Sequence, residues 1–454
     1  MDGGQRSPYV QIVFFAFDRR MPEPAESTPQ QLKRVVGLPG AVTLGLGSIL
    51  GTGVFVSLLI AVQLAGEWAI LSVAIAAGLA ICNGLSSAQL AASHPVSGGA
   101  YEYGYRFLTP VLGFNAGWMF LIAKGASAAT AALAFAEGVQ YLIPAAGDVD
   151  IRVLAAVIIA AVTVLVLSGV RRSVRVNGII VGLVLLALGI FSVCALSNAA
   201  TLPEFSSASF SLRDVFHAAG LSFVAYTGYG RVATMGEEMR DPARNIPRAV
   251  IATLATTLVV YLIVTLAIVA LVAPIPNVHV GSAASSLGQL LSDNAQTSPV
   301  AASLVRGGAM IAMIGVLLNL VLGLSRVALA MSRRRDLPSW FATLSAAGDS
   351  PHRAVLLVAV MIALLAWSGD IYRTWSISAF AVLIYYATAN LSALRQPAEE
   401  RRYPRFVSLC GLVGCLGLIP FVDSKTLVGG TVLMIVGLVV KLVADFQKRK
   451  HPVT

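Results

Sequence analysis

The sequence predicts an all-α polytopic membrane protein with twelve transmembrane helices. Three observations carry that expectation. Hydrophobic residues make up 57% of the chain and charged residues only 12%, whereas ordinary soluble domains carry about 25% charged residues. Apolar runs long enough to cross a bilayer as helix, about 18 residues or more, recur along most of the 454 residues. Lysine and arginine concentrate in every second connection between those runs, the pattern expected when basic loops stay in the cytoplasm. The runs are continuous rather than alternating, which argues against a β-barrel.

The spans fall at roughly 38–64, 67–92, 112–143, 151–170, 174–198, 211–236, 245–273, 301–331, 354–369, 371–395, 403–421 and 425–446. Arg6, Arg19, Arg20, Lys33 and Arg34 precede the first. Arg106, Arg171 and Arg172, Arg240 and Arg244, the run Arg333 to Arg335, Arg401 and Arg402, and Lys448 to Lys450 follow the even-numbered ones. The odd-numbered ones are followed only by Arg373 and Lys425. Both termini are therefore expected in the cytoplasm of a multi-pass cell-membrane protein. Residues 1–37 are expected to be a disordered cytoplasmic tail, with Met21 as an alternative start after an apolar stretch too short for a signal peptide. The segment 93–110 is expected to lie along the cytoplasmic surface or to re-enter the membrane. The segment 274–300 is expected to be an external loop with a short helix. Residues 447–454 form a cytoplasmic C-terminal tail.

Composition also excludes function classes. The net charge of +10 is accounted for by loop basicity and implies no nucleic-acid partner. Cys82, Cys194, Cys410 and Cys415 lie inside apolar runs and read as reduced helix residues. No metal-ligand spacing, nucleotide loop, or Ser/His/Asp or Cys/His set at shared depth is present, so neither a metal, a cofactor nor an enzyme is implied. A channel would need rings of charge or of filter carbonyls, which the sequence does not offer.

Two spans contain what a membrane helix ordinarily avoids. The first reads GLGSILGTGVF over 45–55, and the sixth FVAYTGYGRVATMGEE over 223–238. Glycine weakens a helix interior by about 1 kcal/mol relative to alanine. Interrupted helices in corresponding positions of two halves point to a transporter's binding site, because non-helical backbone at membrane depth survives only where it is buried or lines a cavity. A break near Thr52 and Gly53 would present amide N–H groups to a carboxylate. Carbonyls at Ser48, Ile49 and Leu50, and at Ala225, Tyr226 and Thr227, would suit an ammonium. Together they fit the zwitterion of an α-amino acid. The competing account is close helix packing by small residues, for which Gly47 and Gly51 have the spacing.

GLGSILGTGVF resembles the first-helix motif of the amino acid/polyamine/organocation transporter superfamily. SHPVSGGAYEYGYRFL (93–108), GEEMRDPARNIPRAV (236–250) and SRVALAMSRRRDLPSWFATL (325–344) resemble further segments of that family, in order. The resemblance implies two inverted repeats of five helices, 38–198 and 211–395, with discontinuous helices one and six, plus two further helices over 403–446. It implies an amino-acid permease working by alternating access, coupled to protons or to exchange, with a polyamine or organic amine as the alternative substrate. It places the substrate carboxylate on the amides of Thr52 and Gly53, next to Gly51. It places the ammonium on carbonyls of Ile49, Tyr226 and Thr227, next to Gly228. The sixth-span run Tyr229-Gly230-Arg231 departs from common members, and Val184 stands where some proton-coupled relatives carry a lysine.

Lys124 sits in the middle of the third span. An ionisable group there costs about 2.5–3.5 kcal/mol on insertion scales, so it should face the bundle interior. Three readings stay open: a contact to a carboxylate-bearing substrate, a titrating group for proton coupling, or a structural cation. Tyr229 and Arg231 are gating or coupling candidates. Arg231 has the competing reading of a partner for Glu102, Glu237 or Glu238. Asn319 and Ser325 are weaker candidates for polar contacts.

Overall fold

A computed structural model describes residues 36–95, 98–168, 174–199, 205, 209–233, 239–272, 286–293, 298–343 and 351–450. The expectations for the tail before Val36, for Met21, for Glu237 and Glu238, for most of 274–300 and for residues 451–454 lie outside the described residues.

The described chain is helical, with one isolated bridge between Val36 and Met239. The first span is α1 (Leu38–Ile49), then a π-helical turn (Gly53–Ser57) and α2 (Leu58–Ala65). There follow α3 (Ala69–Ser93), α4 (Ala100–Phe107), α5 (Pro110–Leu142), α6 (Ile151–Leu167) and α7 (Val174–Ser197). The sixth span is α8 (Leu212–Tyr226), a 3-10 turn (Thr227–Tyr229) and α9 (Gly230–Ala233). Then come α10 (Pro242–Val272), α11 (Ser286–Asp293), α12 (Pro299–Arg333), α13 (His352–Ala366), α14 (Ile371–Arg395), α15 (Arg405–Leu418) and α16 (Ser424–Lys450).

Helix starts follow from side chains that satisfy otherwise unpaired first-turn amides. Thr109 accepts from the Leu112 amide ahead of Pro110, Ser211 from Asp214, and Asp370 from Arg373. Seven helical stretches are long and apolar enough to cross a membrane, and three shorter apolar helices accompany them. Their outward faces carry Val157, Val164, Leu186, Val193, Leu364 and Leu442, all exposed. In water such a belt would be a penalty, and in hydrocarbon it is the natural surface. The predicted spans coincide with helices to within a few residues. In the ninth, α13 stops at Ala366, short of the expected end, and the chain turns at Gly369, with φ +67°.

The polar segment after α3 contains a short helix, α4, whose Tyr101 and Tyr103 are buried. Both breaks sit in the protein core. Ile49, Val54, Phe55, Tyr226 and Tyr229 are all at most 2% exposed, and α10 packs along both breaks.

Candidate functional site

The site begins where α1 stops. Leu50 leaves helical geometry (φ −77°, ψ 83°) while its amide still bonds to the Leu46 carbonyl at 2.7 Å. The Gly51 carbonyl then accepts from the amides of Val54 and Phe55, each at 3.2 Å, which starts the π-helical turn. The amides of Thr52 and Gly53 stand at the start of the second helical segment. The Thr52 hydroxyl is 2% exposed and has no partner among the described residues. First-turn amides at a helix start are a ready anion site.

None of the break glycines has a left-handed backbone. Their requirement is steric. A Cβ on Gly53 would lie 2.6 Å from the Tyr261 hydroxyl and 2.8 Å from the Ala225 Cβ. A Cβ on Gly228 would lie 2.5 Å from the Ser48 carbonyl oxygen. The two breaks therefore touch backbone to backbone. Gly45 and Gly47 pack against Thr253 and Asn177, as close-packing glycines should.

The second break is tighter than a full unwinding. The helix narrows to a 3-10 turn at Thr227–Tyr229 and resumes at Gly230. Tyr261 on α10 bridges both breaks, its hydroxyl 3.1 Å from the carbonyl oxygens of Ile49 and of Ala225. Tyr386 on α14 donates to the Thr227 carbonyl at 3.3 Å. Lys124 on α5 reaches the same turn and donates to Thr227 Oγ1 at 2.7 Å.

These groups enclose a cavity of about 30 Å³, room for about one water molecule. Ser48, Ile49, Thr52 and Gly53 line it from the first break, Val224, Ala225 and Gly228 from the second, and Lys124 and Ser127 from α5. Val316, Leu320 and Trp375 complete the wall.

Of the residues predicted for the site, Ile49, Thr52, Gly53, Lys124 and Gly228 line the cavity. Thr227 meets it through Lys124. Gly51 instead faces Val316 and the Ala312 carbonyl. Tyr226 lies behind the wall, its ring 4.9 Å from that of Tyr261. Tyr229 is fully buried against Tyr386, with rings 5.4 Å apart. Arg231 lies on α9, outside the cavity wall. The Glu102 partner is Arg334, at 2.5 Å. Ser325 bonds to the Leu322 carbonyl of its own helix at 3.0 Å. Tyr261, Tyr386 and Trp375 escaped the sequence reading. A lone hydroxyl-bearing ring inside the apolar run TLVVYLIV (257–264) was the available signal for Tyr261.

The model of the amino acid permease family matches residues 40–449. The chain belongs to the amino acid permease family. The permease is a transporter and not an enzyme. It is 38% identical over 421 residues to an uncharacterized transporter of Mycobacterium tuberculosis, covering 92% of this chain and 93% of that one. It is 28% identical to the branched-chain amino acid permease BcaP of Bacillus subtilis, covering 94% and 96%. It is also 28% identical to the methylthioribose transporter of the same organism, covering 75% and 76%. Among solved structures, a manganese transporter of Eremococcus coleocola shares the fold, with a TM-score of 0.56 at 12% identity over 91% of this chain and 94% of that one.

The permease holds a second polar cluster, at the end of α12. Asp336 is fully buried. It accepts from the hydroxyls of Tyr101 at 2.8 Å and Tyr105 at 2.5 Å, and from Lys441 at 3.0 Å and Lys448 at 2.9 Å. Burial pushes its carboxyl up, but these four donors prevail and hold it below the ordinary carboxylate range. The cluster ties α4, the α12 end and α16 together.

Proposed function

We propose that this permease is a secondary active transporter that carries amino acids across the cell membrane by alternating access, coupled to protons or to exchange. It crosses the membrane twelve times with both termini in the cytoplasm. Helices one to five and six to ten form inverted repeats, and two further helices follow. Substrate binds between the first and sixth spans, against the cavity-lining Ile49, Thr52, Gly53, Lys124 and Gly228, with Gly51, Tyr226 and Thr227 in the adjoining backbone.

One observation carries this reading: two interrupted helices face each other across a cavity lined by the unpartnered Thr52 hydroxyl. Interrupted helices at a repeat interface are the general form of a secondary transporter's site. The first-turn amides of Thr52 and Gly53 suit a carboxylate. The naming of a relative as a branched-chain amino acid permease supports amino acids as the substrate class. The cavity has room for about one water, so substrate entry requires the walls to move apart. Tyr229 and Arg231, just past the break, ride on the segment that must shift and are the gating candidates.

The test is uptake into proteoliposomes. Saturable uptake of a labelled amino acid, accelerated by unlabelled substrate inside, is expected. Flux that rises without saturation, or no flux with any amino acid, would refute the proposal.

A further inference from the structure

The cavity between the breaks is rich in donors and poor in free acceptors, and that imbalance bears on the charge of its ligand. Resting on the amino-acid permease reading, we propose that the site selects a ligand with one more carboxylate than ammonium groups, and that Lys124 is the residue that reads the additional negative charge.

Consider the donors first. An ammonium carries three N–H donors. Lys124 uses one, on Thr227 Oγ1 at 2.7 Å. No carboxylate pairs with it among the described residues. The Thr52 hydroxyl has no acceptor there either. Lys124 and Thr52 both line the cavity, from different helices.

The acceptors are already engaged. The Ile49 carbonyl receives the Gly51 amide at 2.9 Å and lies 3.1 Å from the Tyr261 hydroxyl. The Ala225 carbonyl shares that hydroxyl. The Thr227 carbonyl receives the hydroxyl of Tyr386. Protein donors thus stand on the carbonyls that a substrate ammonium would need most.

Charge completes the argument. A zwitterion is neutral and leaves the Lys124 cation unbalanced in a low-dielectric interior, where a second ammonium nearby is strongly repelled. A ligand of net charge −1 removes that imbalance. One carboxylate takes the Thr52 and Gly53 amides, and the other takes the two spare donors of Lys124. An acidic amino acid meets this description, whereas a dicarboxylate that lacks the amine carries a net charge of −2 and exceeds it. A merely structural lysine would make no such distinction between ligands.

The experiment measures ligand-induced thermal stabilisation of the purified full-length protein, followed by competition in proteoliposome uptake. The probes are L-glutamate, L-glutamine, L-lysine and 2-oxoglutarate. Wild type should bind L-glutamate about tenfold or more tighter than L-glutamine, the size of one charge-assisted hydrogen bond. L-Lysine should bind weakest. K124Q should lose the glutamate preference, and K124R should keep it. 2-Oxoglutarate carries two carboxylates and no ammonium, a net charge of −2, so it should bind weaker than L-glutamate. A match between the two overturns the rule of one excess charge. Equal or better binding of L-glutamine by wild type overturns it and leaves the permease reading intact. No response to any amino acid or carboxylate overturns both. The wild-type comparison stands even where a variant does not fold.

Discussion

Gly228 and Ser48 meet so closely that a Cβ on the glycine would lie 2.5 Å from the serine carbonyl oxygen. Two interrupted helices are in backbone contact there, and the contact sets the width of the cavity beside it. Methyl-sized intrusions at such a contact force backbone shifts costing about 1–3 kcal/mol. Gly228→Ala should therefore abolish or severely reduce uptake and lower the melting temperature. Gly220→Ala, two turns earlier in α8 where nothing lies within 4 Å of the added methyl, should be neutral or slightly stabilising. Equal tolerance of both substitutions in a melting and uptake assay would refute the assignment.

Tyr261 links the two breaks through one hydroxyl shared between Ile49 and Ala225 carbonyls. Removing it leaves buried carbonyls short of a donor. Tyr261→Phe should destabilise by about 1–3 kcal/mol, the cost of an unsatisfied buried polar group. The ring still fills its place, so a correctly inserted but less stable protein is expected. Detergent melting curves with and without substrate measure this, and an unchanged melting temperature would remove Tyr261 as the link.

Thr227 is the single hydrogen-bond partner of Lys124 among the described residues. Thr227→Val keeps the shape and removes the acceptor, which should lower stability and raise the apparent KM. Thr227→Ser restores the hydroxyl and should rescue both. A valine variant with wild-type KM would show that the contact is dispensable for substrate recognition.

Asp336 holds α16 to α4 and the α12 end by hydrogen bonds and ion pairs with buried or half-buried partners. Removing one side of a buried pair typically costs about 3–5 kcal/mol. Asp336→Asn should sit at the low end of that range, because Lys441 keeps Asp445 at 3.0 Å. The pH dependence follows from the lowered carboxyl of Asp336. A folded-state value below the unfolded one gives stability that is complete above the unfolded pKa, about 4. It is lost as pH falls through the lower, folded value. Wild type should hold its melting temperature from neutral pH down to that point and drop below it. Asp336→Asn should start lower and show a smaller acid drop. Parallel acid profiles for the two proteins would count against the pairing.

Much of the architecture was legible because lipid imposes a simple rule. Continuous apolar runs must be helices with all backbone groups paired internally, so spans such as 112–143 and 371–395 coincide with α5 and α14 to within a few residues. Glycine clusters in an otherwise apolar run marked both breaks for a related reason, since nothing else in a span tolerates so many weak helix formers. The orientation of Lys124 was legible too, because a charge at mid-span has only the interior to face.

What escaped was whatever depends on partners far apart in the chain. The sequence reading left Gly51 open between the site and close packing, and in the fold it makes room for Val316 on α12. It did not foresee that the rings of Tyr226 and Tyr229 pack on those of Tyr261 and Tyr386. It paired Glu102 with Arg231 as one option, and Arg334 holds it. Side-chain direction at a helix break cannot be counted by helical period, since the period itself lapses there.

The sequence by itself determined that this chain is helical, membrane-spanning and interrupted at two places, because hydropathy and glycine content act locally and lipid permits few alternatives. Only the tertiary structure decided which groups at those interruptions remain available. Tyr261 and Tyr386 cover the carbonyls while Thr52 and Lys124 keep spare donors. That division arises from hydrogen bonds between residues up to 212 positions apart, which no local pattern encodes.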